Sequence, residues 1–218
     1  MKVETVLSAK SIWLLEMRHL NPRGRNLYRL IGPRLNFLYG FKEPTELDEV
    51  KGVQYTGGEF SPSGSNADLT GVNLTIFNDG IIAQTSTSTD DSDSFLSRTM
   101  ELLAKDSFIA YDPKMIKRKQ YATELVSRPE VPIKPLQHFE NLYKLLAETV
   151  YPQQPGAQFE TSTLIFDIDL ALPKHQVPFT FQRRAGTTFE ENLYYSHGPL
   201  SFEQHLRVLN ELEKALAA

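Results

Sequence analysis

Asp167 and Asp169 stand two residues apart in a stretch of alternating apolar and polar residues. On a strand, that spacing puts both carboxylates on one face, close enough to share a Mg²⁺ with substrate phosphates. Two-metal phosphoryl transfer needs at least one further acid, and Glu160 lies too far along the strand to join easily. Alternation alone also explains the pair as the wet face of a one-sided sheet, and this plainer reading is preferred. A metal-dependent phosphoryl-transfer or nucleic-acid-processing enzyme built on Asp167 and Asp169 is therefore an alternative function, not the first.

Other catalytic signals are weaker. Asp90, Asp91 and Asp93 have a calcium-like composition but lack the glycine and the distant bidentate glutamate of a helix–loop–helix calcium site. They read instead as acids at the positive end of a helix. The histidines, His19, His138, His175, His197 and His205, include no His-x-x-x-His pair. His197 and His205 flank the start of the last helix and can meet in space, where either could act as a general base. Histidines at helix ends more often have no such role. Neither a Gly-x-Ser-x-Gly elbow nor a glycine-rich phosphate loop occurs. No catalytic residue is assigned from the sequence, and no cofactor is expected.

The best lead to a partner is cationic. Residues 18–42 hold Arg18, Arg23, Arg25, Arg29, Arg34 and Lys42 with no Asp or Glu, a net +6. Residues 105–128 hold six Lys/Arg against three acids, a net +3, which leaves −13 on the remainder of a chain whose total is −4. Such polarity suits an acidic partner or pairing within the chain. Guanidinium groups grip phosphates bidentately, and Tyr28 can stack on a base. Against nucleic acid stands the overall acidity, with a pI of about 5.8. Arginine also anchors protein–protein contacts.

The segment 183–200 is dense in interaction-prone types. Arg183 and Arg184 can pair with Glu190 and Glu191 across a hairpin. Tyr194 and Tyr195 point to opposite faces of a strand, which leaves one of them available for exposure, with His197 two residues further on. A hairpin edge protected by its own charges is the equal alternative.

The elements that must position these residues are partly legible. Val72, Leu74 and Ile76 share one strand face, and Asp79-Gly80 supplies the positive φ of a two-residue hairpin turn. Thr89 or Asp90 then caps a helix whose stripe holds Phe95, Thr99 and Leu102. Near the end, VPFTFQ, a Gly186 turn, FEENLYYS and a helix from Ser201 repeat the order strand, turn, strand, helix. Gln204 completes a capping box with Ser201, and Leu206, Leu209 and Leu216 face inward. Duplication and the general usefulness of a hairpin packed on a helix both account for the recurrence.

Elsewhere, residues 9–17 favour a strand, and 119–127 suit another. Gly32-Pro33 is expected to break any helix, leaving 26–31 and 34–41 as two short strands or a broken helix. Residues 57–71 read as a Gly/Ser/Pro-rich loop. Residues 128–135 form a stiff connector of prolines, followed by a helix over 136–150. Residues 158–170 alternate most clearly, with Leu164, Phe166, Ile168 and Leu170 on a buried face.

The expected fold is α+β, mostly antiparallel sheet with about three amphipathic helices packed on one face, and two similar β-hairpin–helix halves remain open. An N-terminal half, 1–128, and a C-terminal half, 129–218, are expected, which can form one compact domain. With 218 residues, 40% hydrophobic and 23% charged, the composition is that of an ordinary globular protein. The chain has no cysteine, which excludes disulfides, thiolate chemistry and Cys-held clusters. It has no apolar run of the ~18 residues that a membrane helix requires. A soluble, cytoplasmic protein is expected. Its first-ranked function is non-catalytic interaction or assembly with a protein partner or with itself, nucleic acid being the alternative partner, and no membrane. The residues that carry this are Arg18, Arg23, Arg25, Arg29, Arg34, Arg183, Arg184, Tyr194, Tyr195 and His197.

Overall fold

The structure, a computed structural model, describes residues 1–21, 24, 27–42, 44–46, 52–63, 68–106, 108–130, 139–150, 159, 161–167, 177–188 and 190–217. Two compact units divide the chain. Unit one comprises Met1–Thr5, Glu124–Gly198 and Glu203–Ala218, and unit two comprises Val6–Thr123 and Pro199–Phe202. The chain is α+β with mostly antiparallel sheet, every recorded ladder being antiparallel.

Unit two contains residues 6–14 of β1 (Lys2–Leu14), then α1 (Met17–Leu20), α2 (Leu27–Tyr39), β2 (Thr45–Glu46), β3 (Val53–Phe60), β4 (Thr70–Ile76), β5 (Gly80–Thr85) and α3 (Thr89–Lys105), and residues 118–123 of β6 (Arg118–Arg128). Its strands lie in the order β2-β3-β4-β5-β1-β6. The β4–β5 hairpin forms where the sequence signals it, but not through the expected positive φ at Asp79-Gly80: neither residue has one, and Gly80 instead opens β5, where a Cβ would lie 2.7 Å from the Trp13 carbonyl oxygen. Leu74 faces Ala83 and Ile76 faces Ile81 across the ladder, and all four are buried. Phe77 N–H donates to the Gly80 carbonyl at 2.8 Å, closing the turn.

Helix α3 starts one residue earlier than the cap expected at Thr89 or Asp90. The Ser88 hydroxyl accepts from Asp91 N–H at 3.0 Å and donates to the Asp91 carboxylate at 2.9 Å. Thr89 is buried, and its hydroxyl accepts from Phe202 N–H at 3.0 Å instead. One turn in, the Asp93 carboxylate accepts from the Ser11 hydroxyl at 2.7 Å, the Trp13 indole N–H at 2.6 Å and the Lys119 ammonium at 2.7 Å. Lys119 Nζ also sits 4.4 Å from the Trp13 ring centroid. Burial pushes the Asp93 carboxyl upward, but the hydrogen bonds from Lys119, Trp13 and Ser11 outweigh it, so the group is held below the usual carboxylate range.

The core of unit two is aromatic at its centre. Phe95 lies 4.8 Å from the Tyr39 ring centroid, 5.3 Å from Phe60 and 6.4 Å from Phe41. Tyr39 also shares a 2.8 Å hydrogen bond with the Thr99 hydroxyl.

Two readings of the sequence are corrected here. Gly32-Pro33 does not break the chain into short pieces; α2 runs through it from Leu27 to Tyr39. Proline in a helix interior costs ~3 kcal/mol, partly because the carbonyl four residues back, that of Arg29, loses its donor. Ile31, Leu35 and Tyr39 recur every four residues and are all buried, each contributing about 1.5–3 kcal/mol, so burial wins. The second correction concerns 57–71. Residues 57–60 belong to β3, and a bulge between Tyr55 and Gly58 lets Gly57 take a φ of +69°. Gly58 leaves room for the buried Phe41 ring, whose Cε1 would lie 2.4 Å from a Cβ placed there.

Unit one contains residues 2–5 of β1 and 124–128 of β6, with α4 (Glu140–Val150), β7 (Thr163–Phe166), β8 (Phe179–Arg183), β9 (Tyr194–Gly198) and α5 (Phe202–Ala217, of which Phe202 belongs to unit two). The strand order is β1-β6-β9-β8-β7. Leu125, Val126, Phe181, Tyr194 and Leu209 are buried. Helix α5 follows Ser201 as expected, but its most buried stripe is His205, Leu209 and Glu213, with Leu206, Leu212 and Leu216 half-buried. Glu213 takes the Met1 ammonium and, at 2.5 Å, the Glu130 N–H. Of the expected buried face of 158–170, Leu164 is half-buried but Phe166 is exposed, because β7 lies last in the strand order. Ile168, Leu170, most of the 128–135 connector and residues 136–138 lie outside the described residues. Five α-helices form among the described residues, against about three expected; α1 and α2 are the additions.

Gly58→Ala is expected to destabilise the protein by about 1–3 kcal/mol, because the Phe41 ring must shift within a packed core. Urea denaturation with an unchanged m-value checks this. Asp93→Ala is expected to cost about 3 kcal/mol by leaving the buried Ser11 and Trp13 donors unmatched. Emission of Trp13, the single tryptophan, reports both the transition and the loss of its acceptor.

Candidate functional site

The chain leaves β1 at Leu14 and is pinned to the β4–β5 turn. Leu15 N–H donates to the Asp79 carbonyl at 3.0 Å, and Met17 N–H donates to the Asn78 carbonyl at 3.1 Å. Met17 and Leu20 of α1 are buried, so Arg18 and His19 between them face outward. Beside this turn lies an open cleft of about 310 Å³, lined by Met17, Arg18, Asn21, Gly24, Leu27, Tyr28 and Asn78. Leu27 and Tyr28 belong to the first turn of α2, which the burial of Ile31, Leu35 and Tyr39 holds in place.

Glu16 organises the charge at this site. It occupies the position before α1, but its side chain makes no capping bond. Its Oε2 accepts from Arg18 Nε at 2.8 Å and lies 2.5 Å from Arg18 Nη2, while Oε1 accepts from Lys117 Nζ at 2.5 Å. His19 Nε2 is 3.5 Å from Oε2. The hydrogen bonds from Lys117 and Arg18 hold the Glu16 carboxyl at about 2, against an ordinary value near 4.5. Two cations against one carboxylate leave this corner net positive. Lys117 arrives through its own N–H, which donates to the Leu14 carbonyl at 2.9 Å.

Tyrosines stand at and behind the cleft wall. Burial raises the Tyr28 phenol above its usual range. Burial, and then the nearby Tyr28, push Tyr55 up to about 12. The Tyr55 hydroxyl is buried without a hydrogen-bond partner among the described residues, and a Cβ on Gly32 would lie 3.3 Å from it.

The remaining N-terminal arginines disperse. Arg29 is exposed on α2. Arg34 pairs with Asp106 at 2.6 Å and lies 5.4 Å from the exposed Phe37 ring centroid. Arg23 and Arg25 lie outside the described residues.

In unit one the expected hairpin cluster turns partly inward. Tyr194 is buried and stacks on Phe181 with centroids 4.6 Å apart, and Arg183 lies over the Tyr194 ring at 5.2 Å. Tyr195 is half-buried and donates to the Glu124 carboxylate at 3.2 Å. Arg184 is exposed. His197, half-buried on β9, is near enough to act electrostatically on His205. His205 itself is fully buried, shares a 2.9 Å hydrogen bond with the buried Ser196 hydroxyl and meets the Phe179 ring edge-on at 5.2 Å. Burial, helped by His197, lowers its pKa to about 4. Neither side chain is exposed to solvent.

Asp167 follows β7 on the surface, and Asp169 lies outside the described residues. Among the described residues no group of three His, Cys, Asp or Glu side chains is placed to hold a metal. No described helix is long and apolar enough to cross a membrane.

Sequence reasoning selected Arg18 and Tyr28 but missed Glu16, Asn78 and Lys117. Their convergence depends on strand pairing, which no local pattern spells out. The one available signal was Glu16 placed two residues before Arg18 at the edge of an acid-free run. No protein-family model matches the chain, and no curated protein matches it.

His205 yields a pH prediction with a definite sign. Its folded pKa lies below the usual value near 6.5, so the unfolded chain binds the proton first as pH falls. Stability should be complete above about pH 6.5, decline toward pH 4 by about 3 kcal/mol, and level off below. Urea midpoints measured across this range should fall for the native protein and change much less for His205→Gln.

Proposed function

We propose that this protein acts by binding rather than by catalysis, as an interaction or assembly protein whose cleft beside α1 and α2 receives an acidic segment of a protein partner. The observation that carries this is the cationic corner of Arg18 and Lys117 at an open cleft of about 310 Å³, in a chain of net charge −4. Arginine binds carboxylates through a two-donor fork, and Arg18 Nη1 takes no part in its bonds to Glu16. The Asn78 amide can bond a peptide backbone, and Leu27 and Tyr28 offer apolar surface for the segment's flanking side chains. The 183–200 hairpin is the lesser part of the proposal. Arg183 and Tyr194 are occupied with each other, which leaves Arg184 and, in part, Tyr195 and His197 for contact.

The test is fluorescence anisotropy with a labelled decaglutamate peptide, alongside a labelled oligothymidine of equal charge and light scattering of the protein alone. The peptide should bind with an affinity that falls as salt rises. Arg18→Ala should weaken it on the order of tenfold, the loss typical of one charge-assisted pair. Binding of the oligonucleotide in preference to the peptide, or an unchanged affinity in Arg18→Ala, would replace this reading. Light scattering that shows self-association would identify the partner as another copy of the chain.

A further inference from the structure

Glu16 already makes the bonds that an incoming carboxylate would make. One oxygen holds two nitrogens of Arg18, and the other holds Lys117. The same carboxylate has His19 at 3.5 Å. We propose that Glu16 is a built-in competitor for this site, so that the cleft takes segments with clustered acidic side chains and refuses single carboxylates. This rests on the acidic-segment reading above and adds the rule by which the site selects.

Three features support it. First, Glu16 stands at the start of α1, where a side-chain cap would be useful, and makes none, its carboxylate going to the cations instead. Secondly, the cluster lies at the surface. The side chains of Arg18, Lys117 and His19 are 80%, 62% and 59% exposed, so a partner can reach them without unfolding anything. Exchange of one exposed carboxylate for another is close to neutral in free energy. Thirdly, Arg18 also lines the cleft, so a segment lying there brings its acids to the contested cations. A lone carboxylate only substitutes for Glu16 and gains nothing against a group held in place by the chain. Two or more neighbouring acids take Arg18 and Lys117 together, and the displaced Glu16 is left to water.

The experiment compares decaglutamate with a decapeptide carrying one Glu among Ser and Gly residues, on the full chain. Native protein should bind the first and show no measurable affinity for the second. Glu16→Gln should tighten decaglutamate by on the order of three- to tenfold, the scale set by exposed ion pairs. It should also give the single-Glu peptide measurable binding. Glu59→Gln, an exposed change elsewhere in unit two, makes the same alteration in net charge and should leave both affinities nearly unchanged. Glu16→Ala repeats the test without an amide, and Trp13 emission verifies that each variant is folded. Equal effects of Glu16→Gln and Glu59→Gln overturn the competitor while leaving the cleft intact. So does a native protein that binds the single-Glu peptide. If neither peptide binds native protein or Glu16→Gln, the acidic-segment reading falls, and the competitor falls with it.

Discussion

One carboxylate sets the arrangement of unit two. Trp13 and Ser11 are buried on β1, and each brings a polar hydrogen that must find an acceptor away from water. Asp93 accepts from both and from Lys119 on β6, so three donors from two strands converge on the first turns of α3. The positive end of the helix favours the same negative charge. Once Asp93 is fixed, the helix has no freedom to rotate. Phe95, Leu96, Thr99, Met100 and Leu103 must then face inward, as they do. Phe95 packs against Tyr39, and Thr99 bonds the Tyr39 hydroxyl, which fixes the C-terminal end of α2. The other end of α2 carries Leu27 and Tyr28 into the cleft wall. A single half-buried charge is thus connected, through packed side chains, to the geometry of the candidate site.

The two units handle buried polarity differently. Unit two keeps a charge half-buried and gives it three donors. Unit one keeps a neutral imidazole inside, bonded to Ser196 and enclosed by Phe179. A neutral ring in a dry site requires one hydrogen bond and no counter-charge, but it ties stability to pH. Asp93 makes the opposite exchange: its donors hold the carboxyl below its ordinary range and favour the charged form.

The legible parts of the fold were those that neighbouring residues decide. The β4–β5 hairpin declares itself through alternating apolar residues and Asp79-Gly80, and α3 through its acidic start and apolar stripe. Distant contacts decided the rest. Pro33 reads as a breaker until Ile31, Leu35 and Tyr39 are seen to bury one face. Gly57-Gly58 reads as a loop until Phe41 is found over Gly58. The inward stripe read from Leu206, Leu209 and Leu216 left out His205 and Glu213, because their partners, Ser196 on β9 and the Met1 ammonium with Glu130, come from other parts of the chain. The site follows the same rule. Arg18 was legible by type, whereas Glu16, Asn78 and Lys117 meet only through the β4–β5 turn and the start of β6.

An acidic protein with a cationic cleft is not a contradiction, because screening limits what each charge can reach. At physiological ionic strength exposed charges lose most of their influence beyond about 8 Å. A short acidic segment entering the cleft therefore responds to Arg18 and Lys117 far more than to the −13 carried outside the two basic stretches. On the proposed reading, charge polarity serves to attract a compact acidic element. Glu16, as the proposed competitor, would lower the attraction for any single carboxylate without removing the cations that a cluster can share, so selection would depend on how closely acids are spaced more than on how many the partner carries in total.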